Sequence, residues 1–316
     1  MTDTGNRKKM ICYHSMEQLH IPSDTAVSIG KFDGFHRGHE ALLERMKEEA
    51  GGELDTLVFR IGSASEEAGS RLLTEEEAEA YLLRKKITYE VNLPLSGAFR
   101  NMTKEDFAYA FLPEVLKAKT VIAGQDFRFG KDAAGDASFL KKAGEAAGYR
   151  VILLEDLCDG EEKISSTLIR NLLSEGDIVR ANRCLGYRYA FQGPVVHGRA
   201  LAGKLGFPTI NIIPPEEKVL PRFGVYRTEV RIGGQCFTGL ANIGVKPTVT
   251  DEKKPLLEVH LLHYDGLLYG QHAEVFFEEF IRPEMQFQSL AALKAQMKQD
   301  MERIETAALY KEVSDA

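Results

Sequence analysis

The chain has 316 residues, 44% hydrophobic, 28% charged and 9% aromatic, which at about 150 residues per domain favours two globular domains and excludes a fibrous or disordered chain. Its net charge of -7 disfavours a nucleic-acid partner, because that affinity rests on many Lys and Arg contacts to phosphates, and points to small-molecule substrates. No run approaches the ~18 to 20 apolar residues of a bilayer-spanning helix, MTDTGNRKKMICYHS lacks a signal peptide's apolar stretch, and Cys12, Cys158, Cys184 and Cys236 form no CxxC pair, so we expect a cytoplasmic protein without membrane, zinc or disulfide framework.

Along the first half, short aliphatic runs at 26–30, 56–60, 119–123 and 150–154 alternate with helical patterns, the signature of βαβ units on a parallel sheet. Directly after the first run, residues 30–43 read GKFDGFHRGHEALL. Gly30 and Gly34, with Phe32 and Asp33 between them, would let backbone amides approach a phosphate, and the helix that follows offers N–H donors and a positive dipole end. His36 and His39, three apart at the helix entrance, can face one side and donate to phosphate oxygens. The plainer alternative is a tight strand-to-helix turn with two solvated histidines. Leu42, Met46 and Ala50 continue the helix, and Gly51 and Gly52 stop it.

After the third run comes AGQDFRFGKDAAGD. Phe127 and Phe129 could stack on a flat ring while Asp126 bonds its edge, or they could simply be buried in a structured loop. ISSTLIR at 164–170 places Ser165 and Ser166 as N-cap candidates. With Thr167 and Arg170 they offer hydroxyls and a fixed cation to a polyphosphate; alone, the segment is a cap with a surface Arg. Leu168, Ile169, Leu172 and Leu173 predict a short helix closed by Gly176.

Near residue 186 the pattern changes to Gly, Pro and alternating segments, which divides the chain into 1–186 and 187–316. Tyr226, Thr228, Val230 and Ile232, like Leu257, Val259 and Leu261, alternate as half-buried strands do, so a small antiparallel barrel is expected. GRALAGKLGFPTINI at 198–212 nearly mimics a P-loop, but Leu205 stands where Ser or Thr should bind the metal and Pro208 forbids the required helix. It reads instead as a glycine flap with Gly203, Lys204 and Gly206. Thr209 and Asn211 then lie on one strand face as neutral oxygen ligands for Mg²⁺, or as ordinary surface polar groups. Glu258 lies opposite Leu257, Val259 and Leu261, a position that suits either a solvated carboxylate or a general base. Leu290, Leu293, Met297, Met301 and Ile304 predict a closing amphipathic helix.

HxGH, GxDFxFG and SSTxIR in the first half, followed by GKxGFPTxN, NIGxxPT from Asn242, and ExH, resemble the bacterial bifunctional riboflavin kinase and FAD synthetase family over nearly the whole chain. The resemblance implies a nucleotidyltransferase-like Rossmann domain with a parallel sheet, then a riboflavin kinase-like barrel and a C-terminal helix. It also implies two reactions: riboflavin and ATP give FMN, and FMN with a second ATP gives FAD and pyrophosphate, each with Mg²⁺. By the same resemblance Glu258 is the kinase base, Thr209 and Asn211 hold Mg²⁺ and phosphate, and the flap with Pro208 covers ATP. His36 and His39 then stabilise charge at the α-phosphate while Ser166, Thr167 and Arg170 hold the outer phosphates. A homo-oligomer is compatible with this reading.

The chain also departs from the family pattern. VFRIGSASEEAG lacks the Phe-x-Pro-x-Pro-like loop, ITYEVNLPLSG lacks Gly-Val-Asp, Lys204 replaces the flap Arg, and HYDG replaces Asp-Phe. These leave open a kinase whose first module is slow or repurposed, and a flavin-binding regulator without turnover.

Overall fold

The computed structural model describes residues 10–61, 69–94, 97–196, 207–247, 253–264, 266 and 268–314. It divides into two compact units at Leu168/Ile169, ahead of the change of sequence pattern near residue 186.

In the first unit, β1 (Ile11–Tyr13), β2 (Thr25–Gly30), β3 (Asp55–Ile61), β4 (Tyr89–Leu93), β5 (Ala118–Gly124) and β6 (Arg150–Leu154) form one parallel sheet in the order β1-β4-β3-β2-β5-β6. Successive side chains point to opposite faces of a strand, and here both faces are apolar. Val27, Ile29, Leu57, Phe59 and Val91 enter one core with Phe107, Phe111 and Leu140. Ala26, Val58 and Ile122 enter the other with Leu43, Met46 and Ala50 of α1 (Arg37–Ala50) and with Ala78 and Leu82 of α2 (Glu75–Arg84). α3 (Ala137–Ala147) completes the first of these layers. Covered on both faces, the sheet is doubly wound, and its strand order reverses between β2 and β5. Connections leave those two strands toward opposite faces, so a crevice opens at their carboxyl ends, the usual ligand site of such sheets.

The second unit begins within α4 (Ser166–Glu175) and includes α5 (Ile178–Leu185). Asn182 donates its side-chain amide to the Phe277 carbonyl at 2.8 Å and accepts from the Tyr189 N–H at 2.7 Å, which ties α5 to the strands that follow. Those strands are β7 (Ala190–Pro194), β8 (Thr209–Ile212), β9 (Gly224–Ile232), β10 (Gln235–Pro247), β11 (Lys253–Leu261) and β12 (His272–Pro283). They pair antiparallel in the order β7-β12-β9-β10-β11-β8, and a bridge from Val196 to Asn211 joins the two edges as the sheet curls. Tyr226, Val230, Val259, Phe191 and Phe277 fill the interior.

α6 (Leu290–Ser314) lays Ile304 and Met301 against Val225, Leu240 and Ile281 on the outside of this sheet. Leu290 is exposed, and the helix face that meets the strands contains Asp300. The Arg282 guanidinium donates to both Asp300 oxygens at 2.8 to 3.1 Å, so a buried ion pair supports the closing helix beside its apolar stripe. Among the described residues no helix is long and apolar enough to cross a membrane.

Candidate active sites

The turn after β2 is tightly constrained. Phe32 and Phe35 hold positive φ values of 50° and 38°, which cost bulky residues energy and persist only where packing over-determines them. Here it does: both rings are fully buried, 5.5 Å apart, and Phe35 stacks on Tyr81 at 4.7 Å. Gly34, with φ of 82°, is required twice, since a Cβ would also come 2.6 Å from Leu72 Cδ1. Asp33 Oδ1 accepts from the Leu72 N–H at 3.0 Å, and the Asp33 carbonyl accepts from Ser166 Oγ at 2.9 Å. The ISST segment is thereby fixed to the glycine turn although the two are far apart in sequence. Phe32 faces the core, so what it offers a ligand is backbone.

This turn delivers His36 and His39 as a stacked pair, with ring centroids 3.7 Å apart and planes 19° from parallel. His36 is 6% exposed and occupies the N-cap position of α1 in extended backbone, without a side-chain cap bond. The Nδ1 atoms of both rings are buried and have no partner among the described residues. Burial, with the Lys163 ammonium nearby, pushes His36 down to about 4; burial and then His36 hold His39 well below the ordinary histidine range. The free site therefore holds two neutral imidazoles, donors without fixed charge, at a helix start whose first N–H groups have no intrahelical acceptor.

Across the switch point, the loop after β5 places Asp126 on the surface and Phe127 half-buried, stacked on Phe129 at 5.5 Å and 15°. Phe129 itself lies in the core against Phe107. Asp126 and Asp156 both bind the Lys163 ammonium. Those hydrogen bonds outweigh the effect of burial and raise its pKa, so the cation persists beside the imidazoles. Ser165 caps α4 by accepting from the Leu168 N–H at 3.2 Å, Thr167 is exposed, and Arg170 follows one turn later on the same helix.

In the barrel, register assembles the second site. Glu258 on β11 is the direct partner of Asn211 on β8 and, on its other side, of Asn242 on β10. Directly opposed residues share a sheet face, so the carboxylate lies between two amides. Asn211 is 3% exposed and its Oδ1 has no partner among the described residues. Asn242 donates to Glu284 Oε1 at 3.3 Å. Thr209, two residues before Asn211 on the same face, borders an apolar groove with Pro208, Leu261, Tyr264, Leu268 and Tyr269. Gly203, Lys204 and Gly206 lie outside the described residues.

Sequence reasoning did not find Arg60, Arg71, Glu75 and Glu90. Arg60, 4% exposed, donates from Nη1 to Glu75 and to the fully buried Glu90, each at 2.8 Å, and lines a crevice with Asp33, Gly34 and Arg71. It stands in VFRIG and Glu90 in ITYEVN, two of the segments that depart from the family pattern. Lys163 was also missed; its only sequence signal is a cation two residues before the paired serines.

A glycine turn with stacked imidazoles at the switch point of a doubly wound sheet, joined in one chain to a barrel with a carboxylate between two amides, is the arrangement expected of a nucleotide-dependent transferase. Comparison with known proteins sharpens this class. Residues 18–168 match the family model for FAD synthetase and 185–308 that for riboflavin kinase. The bifunctional riboflavin kinase/FMN adenylyltransferase of Escherichia coli K12 is 37% identical over 296 residues, 91% of this chain and 93% of that protein. The Pseudomonas fluorescens protein of that name is 37% identical over 281 residues (87% and 90%), and the Listeria monocytogenes one 31% over 299 (92% and 93%). A crystal structure from Streptococcus pneumoniae, described as a macrolide-efflux protein, has a TM-score of 0.83 at 29% identity, covering 93% of this chain and 97% of that one.

The chain belongs to the bifunctional riboflavin kinase/FMN adenylyltransferase family. It is a bifunctional transferase whose substrates are riboflavin, FMN and ATP.

Proposed function

We propose that the barrel, in 187–316, carries the kinase reaction and the doubly wound module, in 1–186, the adenylyl transfer, each with the side chains described above. The observation that supports this most directly is that each region matched by a family model holds its own assembled constellation: stacked imidazoles on the Asp33–Ser166 tether in one, Glu258 between Asn211 and Asn242 in the other.

In the kinase module, Glu258 takes the proton of the riboflavin 5′-hydroxyl as that oxygen attacks the γ-phosphorus of ATP, and ADP leaves. A base positioned this way contributes about 10² to 10⁴ in rate. Thr209 and Asn211 would hold Mg²⁺. The donor set fits a hard cation, since a buried amide oxygen that has no partner among the described residues sits two residues from a hydroxyl on one face. When bound, the cation supplies neutralisation of phosphate charge. The groove beside Thr209 and Pro208, which Tyr264 and Tyr269 also line, takes a flat ring.

In the other module, an FMN phosphate oxygen attacks the α-phosphorus of ATP and pyrophosphate leaves. His36 and His39 donate to the α-phosphate while uncharged, so the nucleotide's own charge sets how far they protonate. Gly30, Phe32 and Asp33 contribute backbone, Ser165, Ser166, Thr167 and Arg170 hold the outer phosphates, and Phe127 with Asp126 receives a ring. Imidazole nitrogens are poor ligands for a hard cation, so Mg²⁺ at this site would be held by the phosphates of ATP. Both reactions run on cytoplasmic metabolites, and the enzyme works in the cytoplasm. Incubation of the purified chain with riboflavin, ATP and Mg²⁺, with FMN and FAD followed separately by chromatography, tests the assignment: FMN must appear first and FAD after it. Binding of flavin with no product over hours refutes it.

A further inference from the structure

We propose that His260 is a positioning residue of the kinase reaction, holding the Phe207–Pro208 entry to β8 so that Thr209 and Asn211 meet the phosphates in register with Glu258. This rests on the kinase reading of the barrel.

The argument starts at the edge of the ladder. Thr209 pairs with His260 and Asn211 with Glu258, so the two oxygens proposed to hold Mg²⁺ and the carboxylate are held by one short run of strand pairing. One residue outward stands Pro208, which has no N–H to extend that ladder. Its carbonyl remains, and His260 Nδ1 lies 2.9 Å from it. A carbonyl oxygen only accepts, so Nδ1 carries the hydrogen and donates it to Pro208. The same imidazole meets the Phe207 ring edge-on, with centroids 5.4 Å apart and planes at 83°. His260 is 9% exposed and Phe207 8%, so this is an interior contact. One side chain therefore fixes both residues that lead into Thr209, where backbone pairing runs out. Pro208 and Thr209 also wall the groove beside Tyr264 and Tyr269, so a shift at this corner moves ligand-facing oxygen and groove wall together. His260 makes no chemical step; its effect passes through Pro208 and Thr209.

The test compares H260A, H260Q and H260N in the full chain. An asparagine amide nitrogen can take the place of imidazole Nδ1, whereas the glutamine nitrogen reaches further out, toward the place of Nε2. H260A and H260Q should raise the KM for MgATP in FMN formation about tenfold, the scale of one lost buried hydrogen bond, and H260N should stay within about threefold of the wild type. The KM for riboflavin should move by less than about twofold in all three, a split that general loosening of the barrel would not give. FAD formation from supplied FMN, which belongs to the other module, reports whether each variant folds. Equal KM for MgATP in wild type and all three variants overturns the proposal, and so does an equal loss in all three. If the wild type makes no FMN, the kinase reading itself has failed, and that outcome is distinct because no variant is needed to see it.

Discussion

Replacing Gly38 by Ala separates stability from catalysis with opposite signs. Gly38 lies in the first turn of α1, where Gly to Ala ordinarily stabilises a helix by up to about 1 kcal/mol. An added Cβ, however, would stand 3.2 Å from both Cε1 and Nδ1 of His36, closer than the 3.4 to 4 Å of ordinary contact. The ring must retreat by a few tenths of an ångström, and His39 stands on it at 3.7 Å. A 1 Å misplacement of a catalytic group costs about 10²-fold, so a shift of this size predicts a loss of roughly 3- to 10-fold in the turnover of adenylyl transfer. The assay is FAD formation from FMN and MgATP under saturating substrate, with FMN formation from riboflavin as the internal control and a melting curve for stability. G38A should melt no lower than the wild type, make FMN at the wild-type rate and make FAD more slowly. FAD formation at the wild-type rate would remove the stacked imidazoles from the reaction; a fall in melting temperature with loss of both activities would show that the contact is structural.

E258Q should lower FMN formation by about 10² to 10⁴ while FAD formation from supplied FMN persists; unchanged kinase turnover removes Glu258 from the mechanism. His36 has its pKa depressed from 6.5 to about 4 in the fold, so its contribution is fully present above pH 6.5 and is lost as pH falls through about 4, on the order of 3 kcal/mol in all. Calorimetry between pH 7 and pH 4 should therefore show the first module's melting temperature falling, and H36N should flatten that fall; identical pH dependence in both proteins contradicts it. R60M strands the fully buried Glu90 carboxylate, and urea unfolding of the first module should show a loss of about 3 to 5 kcal/mol, largely recovered in R60M/E90L. A loss below about 1 kcal/mol would mean that water reaches Glu90.

The parallel sheet was legible because its strands are local: 26–30, 56–60, 119–123 and 150–154 each carry their own apolar run and appear within a residue or two of β2, β3, β5 and β6. β1 and β4 were not, and the reason is physical. β1 is three residues long at a sheet edge, and β4 carries Glu90 and Asn92 in a run that reads as polar until Arg60 neutralises it. The closing helix shows the same limit. Its apolar period is visible, but Asp300 reads as a solvent-facing position until Arg282, on another element, turns it inward.

Site residues divide along the same line. His36 with His39, and Thr209 with Asn211, are legible because helical and strand periods place i, i+3 and i, i+2 residues together without knowledge of the rest of the chain. Register supplied Asn242 as the partner of Glu258, and tertiary contact supplied the surroundings of Lys163, His260 and Arg60, although His260 stands in the ExH motif and Lys163 two residues before the paired serines. Arg60 and Glu90 carry this furthest. Each lies in a segment that departs from the family pattern, and either residue taken alone would bury an unpaired charge, at a cost of several kcal/mol. Joined at 2.8 Å with Glu75 as a third member, they are tolerable only together. Arg60 and Glu90 are therefore one physical feature of the first module, and through Arg60 it lines the crevice beside the Asp33–Gly34 turn.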